Sequence, residues 1–167
     1  HRRRWTLQYF SWHERARFLF LPRSLAWTKF NALHAFAHAD GHYHLMGCML
    51  SAASCNKWWM DEIIGTKDYA AEQKQIEKLG ENHVYFLPYL MGERSPHNDP
   101  NARATFIGMT MDTTRADMTQ AVLEGVAFAL RDSLEVARAL GIHIERTKIC
   151  GGGAKEPTVG KRSSRMS

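Results

Sequence analysis

The sequence predicts an α/β fold organised around one core. Short apolar strand-like runs alternate with stretches of helical periodicity, the longest helical stretch carries start and stop signals at its two ends, and the last strand-like run delivers directly into three glycines. With 167 residues, 44% of them hydrophobic and 23% charged, the chain has material for one domain of ordinary size and not for two full ones.

Taken in order, Leu33 to His38 and Tyr43 to Met46 flank Asp40-Gly41, and that turn chemistry predicts a β-hairpin. From about Met49 to Ile64, Leu50, Ala53, Trp58 and Ile63, with Ala and Ser filling between, predict a buried helix closed by Gly65. Asp68 to Leu79 reads as a second helix ended by Gly80. Val84 to Leu87 is a short strand that runs into Pro88 and then a loop, Met91 to Pro100, dense in Gly, Pro, Asn, Asp and Ser. Irregular segments this rich in polar chemistry are where function usually sits. The clearest element spans about Arg115 to Leu140, where Val122, Val126, Ala129, Leu130, Ala137 and Leu140 form one apolar face. Thr114 with Asp117 three residues later resembles a capping box, and Gly141 supplies a left-handed C-terminal residue. Thr147 to Cys150 then forms a strand ending in Gly151-Gly152-Gly153-Ala154.

The net charge of +5 is unevenly spread. Residues 1–30 carry +6, from seven basic side chains against Glu14 alone; residues 155–167 carry +3; the body, 31–154, carries −4. Within the basic N-terminal segment, Trp5, Tyr9, Phe10, Trp12, Phe18, Phe20 and Trp27 follow neither a 3.6 nor a 2.0 period. Two readings stay open: an arginine-and-aromatic arm that grips single-stranded nucleic acid, or a stretch carrying no inherited fold signal, out of frame with the body. The longest apolar window, Leu45 to Ala53, falls well short of the ~20 residues of a membrane span, so neither a span nor secretion is expected. Cys48, Cys55 and Cys150 match neither a zinc ribbon nor a redox pair, and a reduced, cytoplasmic chain is expected.

Two constellations can carry chemistry. Three glycines after a strand let a ligand approach the backbone closely, and nucleotides are the commonest such guest; a tight turn without ligand is the plain alternative. The second, Gly92-Glu93-Arg94-Ser95-Pro96-His97-Asn98-Asp99-Pro100, gathers acids, a base, an imidazole and an amide around rigid prolines, and its plain alternative is a surface turn tied down by a Glu93–Arg94 pair. His34, His38, His42 and His44 cluster at the hairpin, but no cysteine or carboxylate completes a ligand pattern and no metal site is expected. Cys48 and Cys55, placed among Ala, Ser and Leu on a helix, and Trp58-Trp59 read as core packing.

Several of these residues resemble the FGGY carbohydrate kinases. Ala104-x-Phe106-x-Gly108-Met109, seven residues, then Asp117-Met118-x-x-Ala121-Val122-Leu123-Glu124 is similar to that family's C-terminal signature. Leu87-Pro88-Tyr89-Leu90-x-Gly92-Glu93-Arg94-Ser95-Pro96-His97-x-Asp99-Pro100, and Leu45-Met46 followed by Met49-Leu50-Ser51-Ala52-Ala53-Ser54, resemble its xylulokinase branch. The Gly151 to Ala154 turn resembles its adenosine motif. The resemblance covers roughly residues 34–155; residues 1–33 and the basic tail 156–167 lack it.

The resemblance implies part of the C-terminal actin-like ATPase (ribonuclease H-like) domain of a sugar kinase, with ATP and Mg2+ as cofactors and D-xylulose as the sugar. It assigns Gly151, Gly152, Gly153 and Ala154 to nucleotide binding and Glu93, Arg94, His97 and Asn98 to support of the interdomain cleft. It places the catalytic aspartate outside this chain, so the chain is expected to be a fragment inactive alone. Its expected partners are ATP, the sugar and an N-terminal kinase domain, with a second copy as a further candidate and neither membrane nor nucleic acid expected. The alternative from a different class is a non-catalytic nucleic-acid- or protein-binding module acting through the basic N-terminal arm.

Overall fold

The computed structural model describes residues 32–39, 41, 43–76 and 80–142 in full and the backbone of three further strands, 5–11, 16–20 and 144–150. Strands β1 (Trp5–Ser11), β2 (Ala16–Phe20), β3 (His34–Ala37), β4 (Tyr43–Met49) and β7 (Ile144–Cys150) form one mixed sheet in the order β3-β4-β2-β1-β7. The β1/β2, β2/β4 and β3/β4 pairs are antiparallel, and β1/β7 is parallel. Between β4 and β7 the chain builds α1 (Ala53–Trp58), which continues as a π-helical turn over Trp59–Ile64, then α2 (Tyr69–Lys74), a separate two-stranded sheet of β5 (Tyr85–Leu87) and β6 (Thr105–Ile107), and the long α3 (Arg115–Ala139).

The hairpin forms as its turn chemistry requires, with Phe36 opposite His44 and Gly41 at φ +83°; Asp40 and His42 lie outside the described residues. The expected helix over 49–64 is shorter at its start. Met49 still pairs with Ala16 in the sheet, so the ladder claims the first residues, and Cys48 belongs to β4 while Cys55 sits on α1. Both cysteines are buried. Periodicity alone does not separate a buried strand end from a buried helix start. Gly65 does close the helical segment, in the left-handed conformation. The second helix is likewise shorter than 68–79: Asp68 caps it by accepting from the Ala71 amide at 3.0 Å, and it ends at Lys74, while 77–79 lie outside the described residues. The β1, β2 and β6 strands are additions to the sequence reading. The first two are interior strands, whose register is set by a neighbour on each edge, and such strands need no amphipathic alternation of their own.

The core lies where α3 meets the sheets. Toward its C-terminus, Leu134 and Ala137 pack with Leu33, Leu45 and Ile142. Toward its N-terminus, Ala121 and Val122 pack with Cys55, Trp59, Met60, Val84 and Phe86, around which Trp58 and Phe106 close. Phe86 lies 4.6 Å from Phe106 and stacks on Trp58, so the tryptophan pair serves packing. The buried Glu72 of α2 receives a bidentate guanidinium from Arg115, fixing α2 to the start of α3.

The capping box is present. The Asp117 amide donates to Thr114 Oγ1 at 3.2 Å, and the Thr114 amide and hydroxyl both donate to Asp117 Oδ2 at 2.8 Å. Those two bonds hold the Asp117 carboxyl below its ordinary pKa. Its contribution is therefore present above the usual carboxylate range and is lost as acidification passes through the lowered pKa. Thr114→Ala is expected to cost about 1 kcal/mol in urea unfolding near neutral pH, and less in acid.

Candidate functional site

Strand β5 ends at Leu87 and hands the chain to the buried Pro88, from which the loop to Pro100 folds back on itself. Its shape is set by the backbone. Glu93 and Asp99 exchange two amide–carbonyl bonds, both 2.8 Å, and the Asn98 amide donates to the Arg94 carbonyl at 2.8 Å. Asn98 closes this tight turn with φ +52°, a conformation asparagine tolerates. Gly92 is required: at φ +73°, a Cβ there would stand 2.7 Å from the Pro100 carbonyl oxygen.

The loop is docked on the turn between β4 and α1. The Leu50 amide donates to Glu93 Oε1 at 3.1 Å, the Arg94 amide donates to the same oxygen at 2.7 Å, and the Ser95 amide donates to the Cys48 carbonyl at 3.1 Å. This sorts the four loop residues singled out from the sequence. Glu93 is only 2% exposed and points inward, whereas Arg94, His97 and Asn98 are exposed. In place of the Glu93–Arg94 ion pair of the plain alternative there is a bond from the Arg94 backbone, because the buried carboxyl can reach two main-chain amides without drawing a guanidinium out of water. His97 is steadied by Tyr89, whose hydroxyl lies 2.9 Å from its Nε2 with the rings edge to face.

Burial pushes the Glu93 carboxyl above its ordinary pKa, opposed by the two amide bonds. Burial also pushes the Cys55 thiol up to about 12, with the nearby Glu93 charge adding to it, so this cysteine is a packing group and not a nucleophile. Tyr89 is raised by burial and by Asp132 and Glu93. A raised carboxyl pKa means that the neutral form is the one the fold favours. That contribution is complete below the ordinary glutamate pKa of 4.5 and is lost as pH rises through the raised value. Glu93→Gln, which stays neutral, is expected to flatten this decline, read as the urea midpoint across pH 4 to 8.

Among the hairpin histidines, Phe36 stacks on His44 at 5.7 Å and His38 meets His44 edge to face at 5.5 Å. Burial lowers the pKa of His34 and His44, with Arg94 adding to the first and His38 to the second. Among the described residues no group of three metal-ligating side chains is assembled. The glycine turn Gly151, Gly152, Gly153 and Ala154 lies outside the described residues; the backbone of β7 leads to it beside β1. The buried Ser51 and Ser95 and the half-buried Tyr89 appear in the sequence motifs but are assigned no role there. A serine among small residues gives no signal of burial, and only the docking of the loop on the β4–α1 turn reveals them.

A five-stranded mixed sheet with β1, β2 and β4 antiparallel, a parallel β7 and a long crossover helix is an α/β domain of the actin-like ATPase type. The sequence profile of the FGGY family of carbohydrate kinases, C-terminal domain, matches residues 20–161, and the chain belongs to that family. This matched span runs past both limits drawn from the sequence at 34 and 155. Xylulose kinase of Klebsiella pneumoniae is 44% identical over 128 residues, covering 74% of this chain and 26% of the relative. The crystal structure of xylulose kinase from Bifidobacterium adolescentis is similar with a TM-score of 0.81 at 32% identity, over 92% of this chain and 30% of that one. One from Brucella ovis is similar at 0.78 and 34%, over 98% and 32%. The chain thus spans about a quarter of the length of the curated relatives it matches. Among the described residues no helix is long and apolar enough to cross a membrane.

Proposed function

We propose that the chain is a nucleotide-binding-domain portion of an ATP-dependent sugar kinase that transfers a phosphoryl group to D-xylulose, giving D-xylulose 5-phosphate. The observation that carries this reading is the 44% identity to a xylulose kinase, joined to the loop Gly92–Pro100 folded as a docked, preorganised unit. Phosphoryl transfer is achieved mainly by positioning and charge neutralisation. The chain's own share is to present backbone at Gly151–Ala154 to the adenosine and to hold Arg94, His97 and Asn98 at the edge of the cleft. ATP arrives with Mg2+, which neutralises phosphate charge when bound. The aspartate that accepts the sugar hydroxyl proton comes from the remainder of the kinase, so the chain works only together with it.

The test is a chimaera. Residues 34–155 replace the matching segment of the Klebsiella pneumoniae enzyme, and ATP-dependent phosphorylation of D-xylulose is measured. Activity near that of the parent is expected, and a folded chimaera that binds ATP without phosphorylating xylulose would remove the substrate assignment. In the same chimaera Gly152→Val is expected to raise the KM for ATP about tenfold or more, equivalent to about 1.4 kcal/mol, with the KM for xylulose little changed. Wild-type ATP kinetics in that variant would move the adenosine contact elsewhere. The nucleic-acid alternative draws no support from the relatives. It predicts salt-sensitive polynucleotide binding that is lost with residues 1–30, and a flat titration disposes of it.

A further inference from the structure

Three buried polar oxygens at the junction of the Glu93 loop and the β4–α1 turn have no hydrogen-bond partner in the protein: Ser51 Oγ, Ser95 Oγ and Glu93 Oε2. Their residues are 0%, 1% and 2% exposed. They belong to one seam. The Leu50 amide, one residue before Ser51, holds Glu93 through its other carboxyl oxygen, and Ser95, two residues after Glu93, is tied by its amide to Cys48. Cys55 closes the floor, its thiol donating to the Ser51 carbonyl at 2.7 Å and lying 3.3 Å from the Pro88 carbonyl.

A polar oxygen left unpaired in the interior costs about 1–3 kcal/mol, and three of them on residues of this loop–turn contact would oppose the docking that the surrounding backbone bonds create. Two nearby main-chain acceptors are engaged already: the Cys48 carbonyl by the Ser95 amide and the Ser51 carbonyl by the Cys55 thiol. Buried polar groups in this position are ordinarily satisfied by an internal water making about three hydrogen bonds. We infer that the seam is a hydration site, in which one water molecule joins Glu93 Oε2, Ser51 Oγ and Ser95 Oγ and seals the loop to the turn. With the carboxyl ionised the water makes three hydrogen bonds: it gives one hydrogen to the carboxyl oxygen and accepts one from each serine hydroxyl. The inference depends on the geometry of the seam and not on the identity of the sugar.

The seam also gives Glu93 a role distinct from that of its neighbours. It positions the loop from within, while Arg94, His97 and Asn98 project from the surface that it fixes.

The test uses the full chain. A high-resolution crystal structure is expected to show one ordered water within about 3 Å of all three oxygens. Ser51→Ala and Ser95→Ala, singly and together, are expected to couple by about threefold or more in the unfolding equilibrium constant, as partners sharing one water do. A seam in which the hydroxyls bond directly to the carboxyl, or a double variant whose effect is the product of the single ones, overturns the inference. Should either variant fail to fold, water-to-protein NOE transfer onto the β-protons of Ser51 and Ser95 in the unsubstituted chain decides the matter: long-lived transfer supports the site, and its absence overturns it.

Discussion

Gly125→Ala is expected to destabilise the domain by about 3 kcal/mol, although alanine is the better helix former by about 1 kcal/mol in an open helix. Gly125 lies on the buried face of α3, directly against β5. A Cβ built there would fall well inside the van der Waals radius of the Phe86 carbonyl oxygen, with the Phe86 Cβ at 3.2 Å. The obstructing atom is backbone held in the β5/β6 sheet, so it has no rotamer by which to yield. Relief requires α3 to lift from the strand, which opens the cluster of Val122, Met60, Val84 and Phe86. Urea unfolding reads the change, and its sign is decisive. A variant as stable as the parent would mean that α3 is not seated on β5 at this close approach. Because β5 runs into Pro88 and the docked loop, the same substitution in the chimaera is expected to lower kcat/KM for both substrates.

The sequence disclosed the helix of this contact but not the contact itself. The 3.6 period of Val122, Val126, Ala129, Leu130 and Ala137, with Thr114 and Gly141 at its ends, located α3 to within a residue, because capping and amphipathicity are both local chemistry. The hairpin at Gly41 and the helix stop at Gly65 were legible for the same reason. What was not legible depends on partners far along the chain. Met49 reads as part of a helix until β2 is known to pair with it, and β6 has only three residues, which are strand because β5 lies opposite. Within the candidate site, the composition of the Gly92–Asn98 loop drew attention to it, but the inward turn of Glu93 is fixed by the Leu50 amide, 43 positions away. A charged residue in a polar loop is read as exposed by default, and only tertiary structure reverses that.

Trp59→Ala is expected to cost about 3–5 kcal/mol, the usual range for removing a buried tryptophan. The ring is 4% exposed, lies 5.5 Å from Phe106, and opens the π-helical turn that joins α1 to the rest of the core. Its Nε1 donates to Thr119 Oγ1 at 2.9 Å, while that hydroxyl donates onward to the Arg115 carbonyl at 3.0 Å. The two halves of this pair are unequal. Trp59→Phe keeps most of the ring and leaves Thr119 its bond to Arg115, whereas Thr119→Val strands a buried indole N–H, at about 1–3 kcal/mol. The double variant Trp59→Phe/Thr119→Val carries no stranded donor. It is therefore expected to be more stable than the sum of the single changes implies, by about 1 kcal/mol in urea unfolding. Strict additivity would show that the indole hydrogen bond contributes nothing and that Trp59 acts through packing alone. A positive coupling would make it a polar clamp between the π-helical turn and α3, holding in register the two elements that flank β5 and the loop it carries.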